Sequence, residues 1–262
     1  MKKDYLLASS TQADQDFVAE FWDQRWQEEQ SPRRRGRVGR TEEYRFLNKL
    51  ISRLESGGMD ILDCGCGRGE WTLLFRAQGH RAVGIDIAEE TVRRLHDQHG
   101  EMFRWGDFRK INCPENSYDL VINWGGIEHF EEGPTGAIQE AYRVLRPGGC
   151  YVVTTPCHNL RLFLLDALLR RTTGPDYPLT RYRFYQYRFT PAELEGYFRA
   201  CGFQSIHSRI IGGAQGVHRS LQHELGWLGN RLPYLIRGGL MWAGGRLLRP
   251  VLGHMVICAG TK

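Results

Sequence analysis

The stretch that most constrains the fold is residues 61–75, ILDCGCGRGEWTLLF. Two apolar residues and the acidic Asp63 lead into glycines at alternate positions, Gly65, Gly67 and Gly69, and then into a segment of helical character. This order predicts a strand, a tight loop and a helix. Glycines permit φ > 0 and a close approach of ligand to backbone, and the free N–H groups of the following helix attract a negative group. We therefore expect a ligand over this loop.

The spacing of the glycines differs from the dinucleotide fingerprint. Residues 65–69 read G-x-G-x-G instead of G-x-G-x-x-G, with an acid two positions before the first glycine. In this the loop resembles that of the class I S-adenosylmethionine-dependent methyltransferases, where D/E-x-G-x-G-x-G closes the first strand and wraps the methionine part of the cofactor. Taken alone, the loop leaves a NAD site or a plain strand–helix turn as alternatives.

Two further acids follow strands that come next in the chain. Residues 81–86, RAVGID, predict a strand ending in Asp86, whose carboxylate can accept hydrogen bonds from both ribose hydroxyls. Residues 102–105 predict a third strand, after which Asp107 and Phe108 match the family's pair that bonds the adenine amino group and stacks on the ring. The cofactor set that the resemblance implies is Asp63, Gly65, Cys66, Gly67, Gly69, Asp86, Ile87, Asp107, Phe108, Asn123 and Trp124.

A second, independent match lies in residues 144–156, VLRPGGCYVVTTP, which are similar to the family's L-x-P-G-G element. Residues 184–203 also resemble its F-T-x-x-E-L…G-F element. The remaining predicted elements are strands at 119–124, 150–155, 203–211 and 254–261 and a helix at 131–146 that the Pro-Gly-Gly of 147–149 ends. The family implies an α/β, Rossmann-like three-layer sandwich with a seven-stranded, mostly parallel sheet, an antiparallel last strand, and helical cap and lid insertions.

We expect one domain, 1–262, with an N-terminal helical cap at 1–54, a cofactor-binding core at 55–155, and substrate-side lids at 156–190 and 217–252. An amphipathic helix is predicted at 14–29, whose aromatic residues either pack on the core or cap the cofactor. An aromatic and arginine-rich loop is predicted at 177–188. Segment 217–252 is interrupted by arginines and bracketed by prolines, which argues against a membrane span. It leaves a lid, a peripheral membrane contact or a homodimer contact open.

Composition sets the broad class. A net charge of +5 with 41% apolar and 25% charged residues is ordinary for a globular protein and mild for one that coats nucleic acid. The basic loop at 31–40 is either solvated or a clamp for an anionic substrate group. Seven cysteines without a C-x-x-C pair, and a polar start, MKKDY, predict a reducing, cytoplasmic location. No metal site is expected, because Cys64 and Cys66 lack ligand partners nearby in sequence.

Methyl transfer is an in-line displacement, which needs a base only for a weak nucleophile. His129 is the candidate base, because it lies just beyond the fourth strand and an imidazole accepts a proton near pH 7. In a similar E-H-hydrophobic sequence of the family, the histidine instead organises the loop. The candidate residues for the substrate side are Glu128, Cys157, His158, Tyr182 and Tyr185.

The resemblance thus implies a methyltransferase that uses S-adenosylmethionine, nearest to the small-molecule branch that methylates quinones and sugars. The acceptor is expected to be a small molecule such as a glycan intermediate, a polyketide or a quinone. A nucleic-acid methyltransferase is the alternative, although residues 123–126, NWGG, lack the proline pair of amine-methylating nucleic-acid enzymes. A protein that binds the cofactor without catalysis is a further alternative.

Overall fold

The computed structural model describes residues 1–7, 20–26, 38–54, 58–164, 182–223 and 234–262. The strands in chain order are β1 (Lys2–Leu7), β2 (Asp60–Cys64), β3 (Arg81–Asp86), β4 (Phe103–Trp105), β5 (Tyr118–Trp124), β6 (Leu145–Pro156), β7 (Tyr182–Arg188), β8 (Gln204–Ile211) and β9 (Met255–Thr261). The helices are α1 (20–26), α2 (Glu42–Leu54), α3 (Glu70–Ala77), α4 (Glu89–His99), α5 (Thr135–Val144), α6 (160–164), α7 (Pro191–Ala200), α8 (Gly213–His223), α9 (Tyr234–Leu247) and α10 (Arg249–Leu252).

Seven of these strands form one sheet in the order β4-β3-β2-β5-β6-β9-β8. Strand β2 pairs in parallel with β3 and β5, whereas β9 runs antiparallel to both of its neighbours. The order reverses between β2 and β5, and ligands of open α/β sheets bind beyond the carboxyl ends of the strands at such a reversal. The predicted seven-stranded sheet with an antiparallel last strand is confirmed.

The central strands are apolar on both faces because helices cover both. On one face Ile138 of α5 and Phe198 of α7 pack in a cluster with Tyr151 of β6. On the other face Leu47 of α2 and Phe75 of α3 pack over Ile61, Leu120 and Ile122 of the sheet. Full burial on both sides is typical of parallel strands, and it gives the site a rigid floor.

Two predicted elements differ from the structure. The strand predicted at 150–155, after a helix that the Pro-Gly-Gly segment ends, lies within β6, but β6 already begins at Leu145 and includes that segment. The pairing with β5 is irregular at that segment, where Gly148 has a φ of 80°. Lys262 holds the segment, because Gly148 donates to the carbonyl of Lys262, and Lys262 donates to the carbonyl of Gly149. The other error concerns the aromatic and arginine-rich segment, which is not a loop over residues 182–188: it forms β7, antiparallel to β1.

The long connection between β8 and β9 is helical over its described residues. Gly245 of α9 and Ala214 of α8 lie in close contact, because a Cβ added at Gly245 would stand 2.7 Å from the backbone nitrogen of Ala214. Among the helices described, none combines the length and the apolar content that crossing a bilayer requires. The suggested roles of this segment as a lid, in membrane contact or in a homodimer stay predictions, as do the other domain bounds.

Candidate active site

The loop between β2 and α3 takes its shape from glycines in the left-handed region. Gly65, Gly67 and Gly69 have φ of 72°, 50° and 73°. The backbone N–H groups of Gly65 and Cys66 both donate to the carbonyl of Ile85 in β3, at 2.8 and 3.0 Å. Left-handed backbone at three alternate positions is the physical reason for the G-x-G-x-G spacing.

Gly69 is also required by packing. A Cβ at this position would lie 2.5 Å from the ring of Phe103, which is fully buried. Gly79 has a similar φ of 89°, but a Cβ there meets nothing within 4 Å. We expect Gly79→Ala to lower the free energy of unfolding by about 1 kcal/mol through backbone strain alone. Gly69→Ala should lower it by about 3 kcal/mol or more, because overpacking adds to the strain. Urea unfolding of both variants checks this, and equal losses would contradict the close packing.

The carboxylate of Asp86, at the end of β3, is hydrogen-bonded to the glycine loop. One carboxylate oxygen accepts from the backbone N–H of Gly67 at 2.8 Å and the other from that of Ala88 at 2.9 Å. The side chain is buried, and burial raises the pKa of its carboxyl group. Each oxygen accepts one hydrogen bond here and has a second lone pair for a ligand.

Asp63, at the end of β2, is more deeply buried. One of its oxygens accepts from the hydroxyl of Thr72 at 2.8 Å, while the other is buried without a hydrogen-bond partner among the described residues. Burial raises the pKa of this carboxyl group to about 7. A buried acceptor without a donor is costly, so the position favours a cationic or donor group of a ligand.

These groups border one cavity of about 290 Å³. From the predicted set, the cavity is lined by Asp63, Gly65, Cys66, Gly67, Asp86, Ile87, Phe108, Trp124 and His129. The other residues of its lining are Trp22, Trp26, Arg68, Glu70, Trp71, Gly125, Gly126 and Phe130. The cavity therefore brings together the ends of β2, β3 and β5 and the loop after β4, as the resemblance predicts.

Other predicted residues stand outside this lining. The carboxylate of Asp107 is held by the guanidinium of Arg109, with an Nη2–Oδ2 distance of 2.6 Å. Asn123 is fully buried and connects two elements, donating to the carbonyl of Cys64 at 2.8 Å and accepting from the N–H of Gly126 at 3.0 Å. The predicted ligand roles of Asp107 and Asn123 stay predictions.

The predicted substrate residues whose side chains are described are also off the cavity lining. Cys157 is fully buried in a bridge to Phe189, and burial raises the pKa of its thiol to about 12. His158 packs with its ring 6.2 Å from that of Phe163. The side chain of Tyr182 lies outside the described residues. Tyr185 contacts His129, with the ring centroids 5.1 Å apart.

His129 follows β5 and lines the cavity, although its side chain is only 8% exposed. Its Nδ1 lies 2.8 Å from the backbone carbonyl of Tyr185. Because a carbonyl only accepts, Nδ1 carries the proton in the neutral ring, and Nε2 has the lone pair. Burial lowers the pKa of His129. Within the described residues Nε2 makes no hydrogen bond, so it is available as a proton acceptor.

Glu128 lies behind His129. Its Oε1 stands 3.9 Å from Nε2 of His129, and its Oε2 is buried without a hydrogen-bond partner among the described residues. Burial raises the pKa of Glu128 to about 8, so that its carboxyl group is mostly neutral at pH 7. A neutral Glu128 does not raise the pKa of His129 as a carboxylate would.

Helix α1 contributes two tryptophans to the wall of the cavity. The sequence alone left it open whether they pack on the core or cap the cofactor. Trp22 and Trp26 stack with their ring centroids 5.2 Å apart. The ring of Trp26 packs against Gly67, because a Cβ added at Gly67 would lie 2.9 Å from it. Asp23 between them accepts from the backbone N–H of Thr91 at 2.9 Å and so ties α1 to the start of α4. Their helical spacing was visible in the sequence, but it does not distinguish core packing from a ligand wall.

The chain was compared with known proteins. The family model described as "Methyltransferase domain" matches residues 38–208, more than half of the chain. A probable S-adenosylmethionine-dependent methyltransferase of Mycolicibacterium smegmatis is 32% identical over 148 residues, 56% of this chain and 52% of that protein. The ubiquinone biosynthesis O-methyltransferase of Leptothrix cholodnii is 24% identical over 172 residues, 63% of this chain and 71% of that protein. The chain thus spans about half the length of the first relative.

Solved structures share the fold. The 1,6-didemethyltoxoflavin-N1-methyltransferase of Burkholderia thailandensis, with bound 1,6-didemethyltoxoflavin and S-adenosylhomocysteine, has a TM-score of 0.55 at 19% identity, covering 100% of this chain and 96% of that one. A methyltransferase of Archaeoglobus fulgidus has a TM-score of 0.54 at 18% identity, covering 83% and 92%. The family match over residues 38–208, the sheet order and the glycine loop together show that the chain belongs to the class I S-adenosylmethionine-dependent methyltransferases.

Proposed function

We propose that this protein transfers a methyl group from S-adenosylmethionine to an oxygen or nitrogen of a small-molecule acceptor. One observation carries the proposal: the same cavity on the glycine loop is bordered by Asp63, one of whose buried carboxylate oxygens has no hydrogen-bond donor among the described residues, and by His129, whose Nε2 makes no hydrogen bond within those residues. The first suits a cationic cofactor, and the second suits the removal of a proton from an acceptor. The combination favours catalysis over cofactor binding alone.

The residues of the cavity fit the cofactor. The unpartnered oxygen of Asp63 is suited to the ammonium of its methionine part, and that positive charge offsets the cost of ionising a buried carboxyl group. The remaining lone pairs of Asp86 suit the ribose hydroxyls, and Phe108 provides an aromatic face for the adenine. When bound, S-adenosylmethionine supplies an electrophilic methyl group on a sulfonium.

His129 holds the proton-accepting position in this scheme. The carbonyl of Tyr185 fixes the tautomer in which Nε2 is basic, and burial lowers the pKa so that the ring is neutral at pH 7. Nε2 would take the proton that the acceptor atom loses when it is methylated. The indoles of Trp22 and Trp26 cover the loop and exclude water from the reacting atoms.

The aromatic walls also indicate the class of acceptor. Trp22 contacts the ring of His129 edge-on with the centroids 5.2 Å apart, and Phe108 and Phe130, which also line the cavity, have centroids 5.2 Å apart. Such surfaces favour a flat, largely apolar acceptor, such as an aromatic ring or a quinone precursor, over a highly polar one. This preference agrees with the name of one similar protein, the ubiquinone biosynthesis O-methyltransferase of Leptothrix cholodnii.

The acceptor class can be tested with isotopically labelled S-adenosylmethionine and a fractionated metabolite extract. Mass spectrometry should find the label in a small ring-bearing product that is absent when the protein is omitted. Label in nucleic acid would favour the alternative class of methyltransferase. Binding of S-adenosylhomocysteine without any labelled product would favour a non-catalytic role.

Asp86→Ala should weaken binding of S-adenosylhomocysteine by about 1.5–3 kcal/mol, the scale for hydrogen bonds to a charged group, which is about 10- to 150-fold. The carboxylate of Asp86 accepts hydrogen bonds from the backbone N–H groups of Gly67 and Ala88. Its loss therefore removes the contacts that hold the loop as well as those proposed to the ribose. Calorimetric titration measures the change, with Asp97→Ala on the exposed face of α4 as the control. An unchanged affinity in a folded Asp86→Ala variant would remove this residue from the cofactor site.

A further inference from the structure

A second cavity, of about 790 Å³, shares no lining residue with the cofactor cavity. It lies over the outer part of the sheet, between α2 on one side and α9 and α10 on the other. Ser205, His207 and Arg209 form its floor at alternate positions of β8. Its volume is within the range of small-molecule sites in proteins.

The lining of this cavity is strongly basic. Among the described residues it contains five Arg and Lys side chains and a single acid, Glu42. The five are Arg45, Lys49, Arg209, Arg246 and Arg249. Glu42 pairs with Arg249 at 3.4 Å, so three further positive charges, those of Arg45, Lys49 and Arg209, face the cavity without an acid in its described lining to balance them. Like charges gathered around one space repel each other unless an anion enters.

Two details of the lining suit a bound anion. The Nε of Arg249 is buried and has no hydrogen-bond partner among the described residues. A buried donor without an acceptor is costly, and an anionic oxygen would satisfy it. The guanidinium of Arg209 is held over the ring of Phe46, 5.2 Å from its centroid, so it is positioned rather than free.

The same cavity has an apolar side. Phe46 and Leu50 of α2 and Met241 of α9 line it together with the small residues of β9. We propose that this cavity is a second ligand site, which binds a small molecule that carries a phosphate group on an apolar body. Guanidinium groups match the geometry of phosphate oxygens, and the apolar wall accommodates the remainder of the ligand.

The probe for this proposal is 1-naphthyl phosphate. Two further compounds serve as partial probes: inorganic phosphate, which lacks the apolar ring, and 1-naphthol, which lacks the phosphate. Calorimetry at low ionic strength should show that 1-naphthyl phosphate binds more tightly than either. The double variant Lys49→Gln/Arg209→Gln should weaken it about tenfold or more, the scale for losing charge-assisted contacts. Binding should persist when S-adenosylhomocysteine is saturating, because the two cavities have separate linings.

Arg199→Gln is the matched control, since Arg199 lies on α7 with a side chain 67% exposed and outside the cavity. Retained binding of S-adenosylhomocysteine by the double variant reports that it is folded. The proposal is overturned if 1-naphthyl phosphate fails to bind, if the control weakens it as much as the double variant, or if S-adenosylhomocysteine displaces it. It does not depend on methyl transfer, so it can fail while the proposed function holds.

Discussion

His129→Ala is expected to lower kcat by about 100-fold or more, the range for losing a general base. The expectation rests on three features of this residue: it lines the cofactor cavity, its Nδ1 is committed to the carbonyl of Tyr185, and its Nε2 has no hydrogen bond among the described residues. A methyl-transfer assay with the acceptor found by labelling measures the change. Affinity for S-adenosylhomocysteine should remain nearly unchanged.

The pH profile distinguishes a base from a residue that only organises the loop. At saturating S-adenosylmethionine, the wild-type rate should fall with decreasing pH below the usual histidine pKa, because burial lowers the pKa of His129, and the variant should lack this limb. His96→Ala, on the exposed surface of α4, is the control and should retain the wild-type rate and profile. If His129→Ala loses only a few-fold in rate and keeps the same limb, His129 is not the base.

Asp63→Asn is expected to weaken binding of S-adenosylhomocysteine about 100-fold or more at pH 8. Removing one partner of a buried ion pair costs about 3–5 kcal/mol, and the carboxylate of Asp63 is the buried charge that the ammonium of the ligand would meet. Calorimetric titration measures the loss. Asp60→Asn, at the other end of the same strand in a surface cluster with Arg81 and Arg146, is the control and should bind normally.

The same residue predicts a pH dependence. Burial raises the pKa of Asp63 to about 7, so wild-type affinity should fall up to about tenfold for each pH unit below 7, as the carboxyl group takes up its proton. A raised pKa means that the folded protein binds this proton more tightly than the unfolded chain. The contribution of Asp63 to the stability of the ligand-free protein is therefore fully present below pH 4 and is lost as pH rises to about 7. Equal affinity of Asp63→Asn and wild type across this range would contradict the account.

The core of the fold could be predicted from local sequence. The predicted bounds of β3 agree with the structure, because this strand is a short, mainly apolar run closed by an acid. The positive φ values of the glycine loop follow from glycine itself. Asp63 and Asp86 lie beside that loop in the structure because parallel strands bring their carboxyl ends to one edge.

Contacts between segments far apart in the chain could not be predicted from local sequence. Nothing local in KKDYLL or YRFYQYR indicates that they pair as β1 and β7, 182 positions apart at Asp4 and Gln186. The engagement of Asp107 by Arg109 and the tautomer of His129, which the carbonyl of Tyr185 sets, depend on side-chain packing. The second cavity, likewise, is assembled from α2, β8 and α9, whose charges are scattered along the sequence.

Calorimetric titration of the folded protein with S-adenosylhomocysteine tests the central claim most directly, because every role proposed here starts from a cofactor on the glycine loop. We expect one binding site per chain with micromolar or tighter affinity. The affinity should increase between pH 5 and 8, and Asp63→Asn should abolish or greatly weaken it. Absence of binding by wild-type protein that unfolds cooperatively would contradict it, and the cavity would then have to be assigned to another ligand.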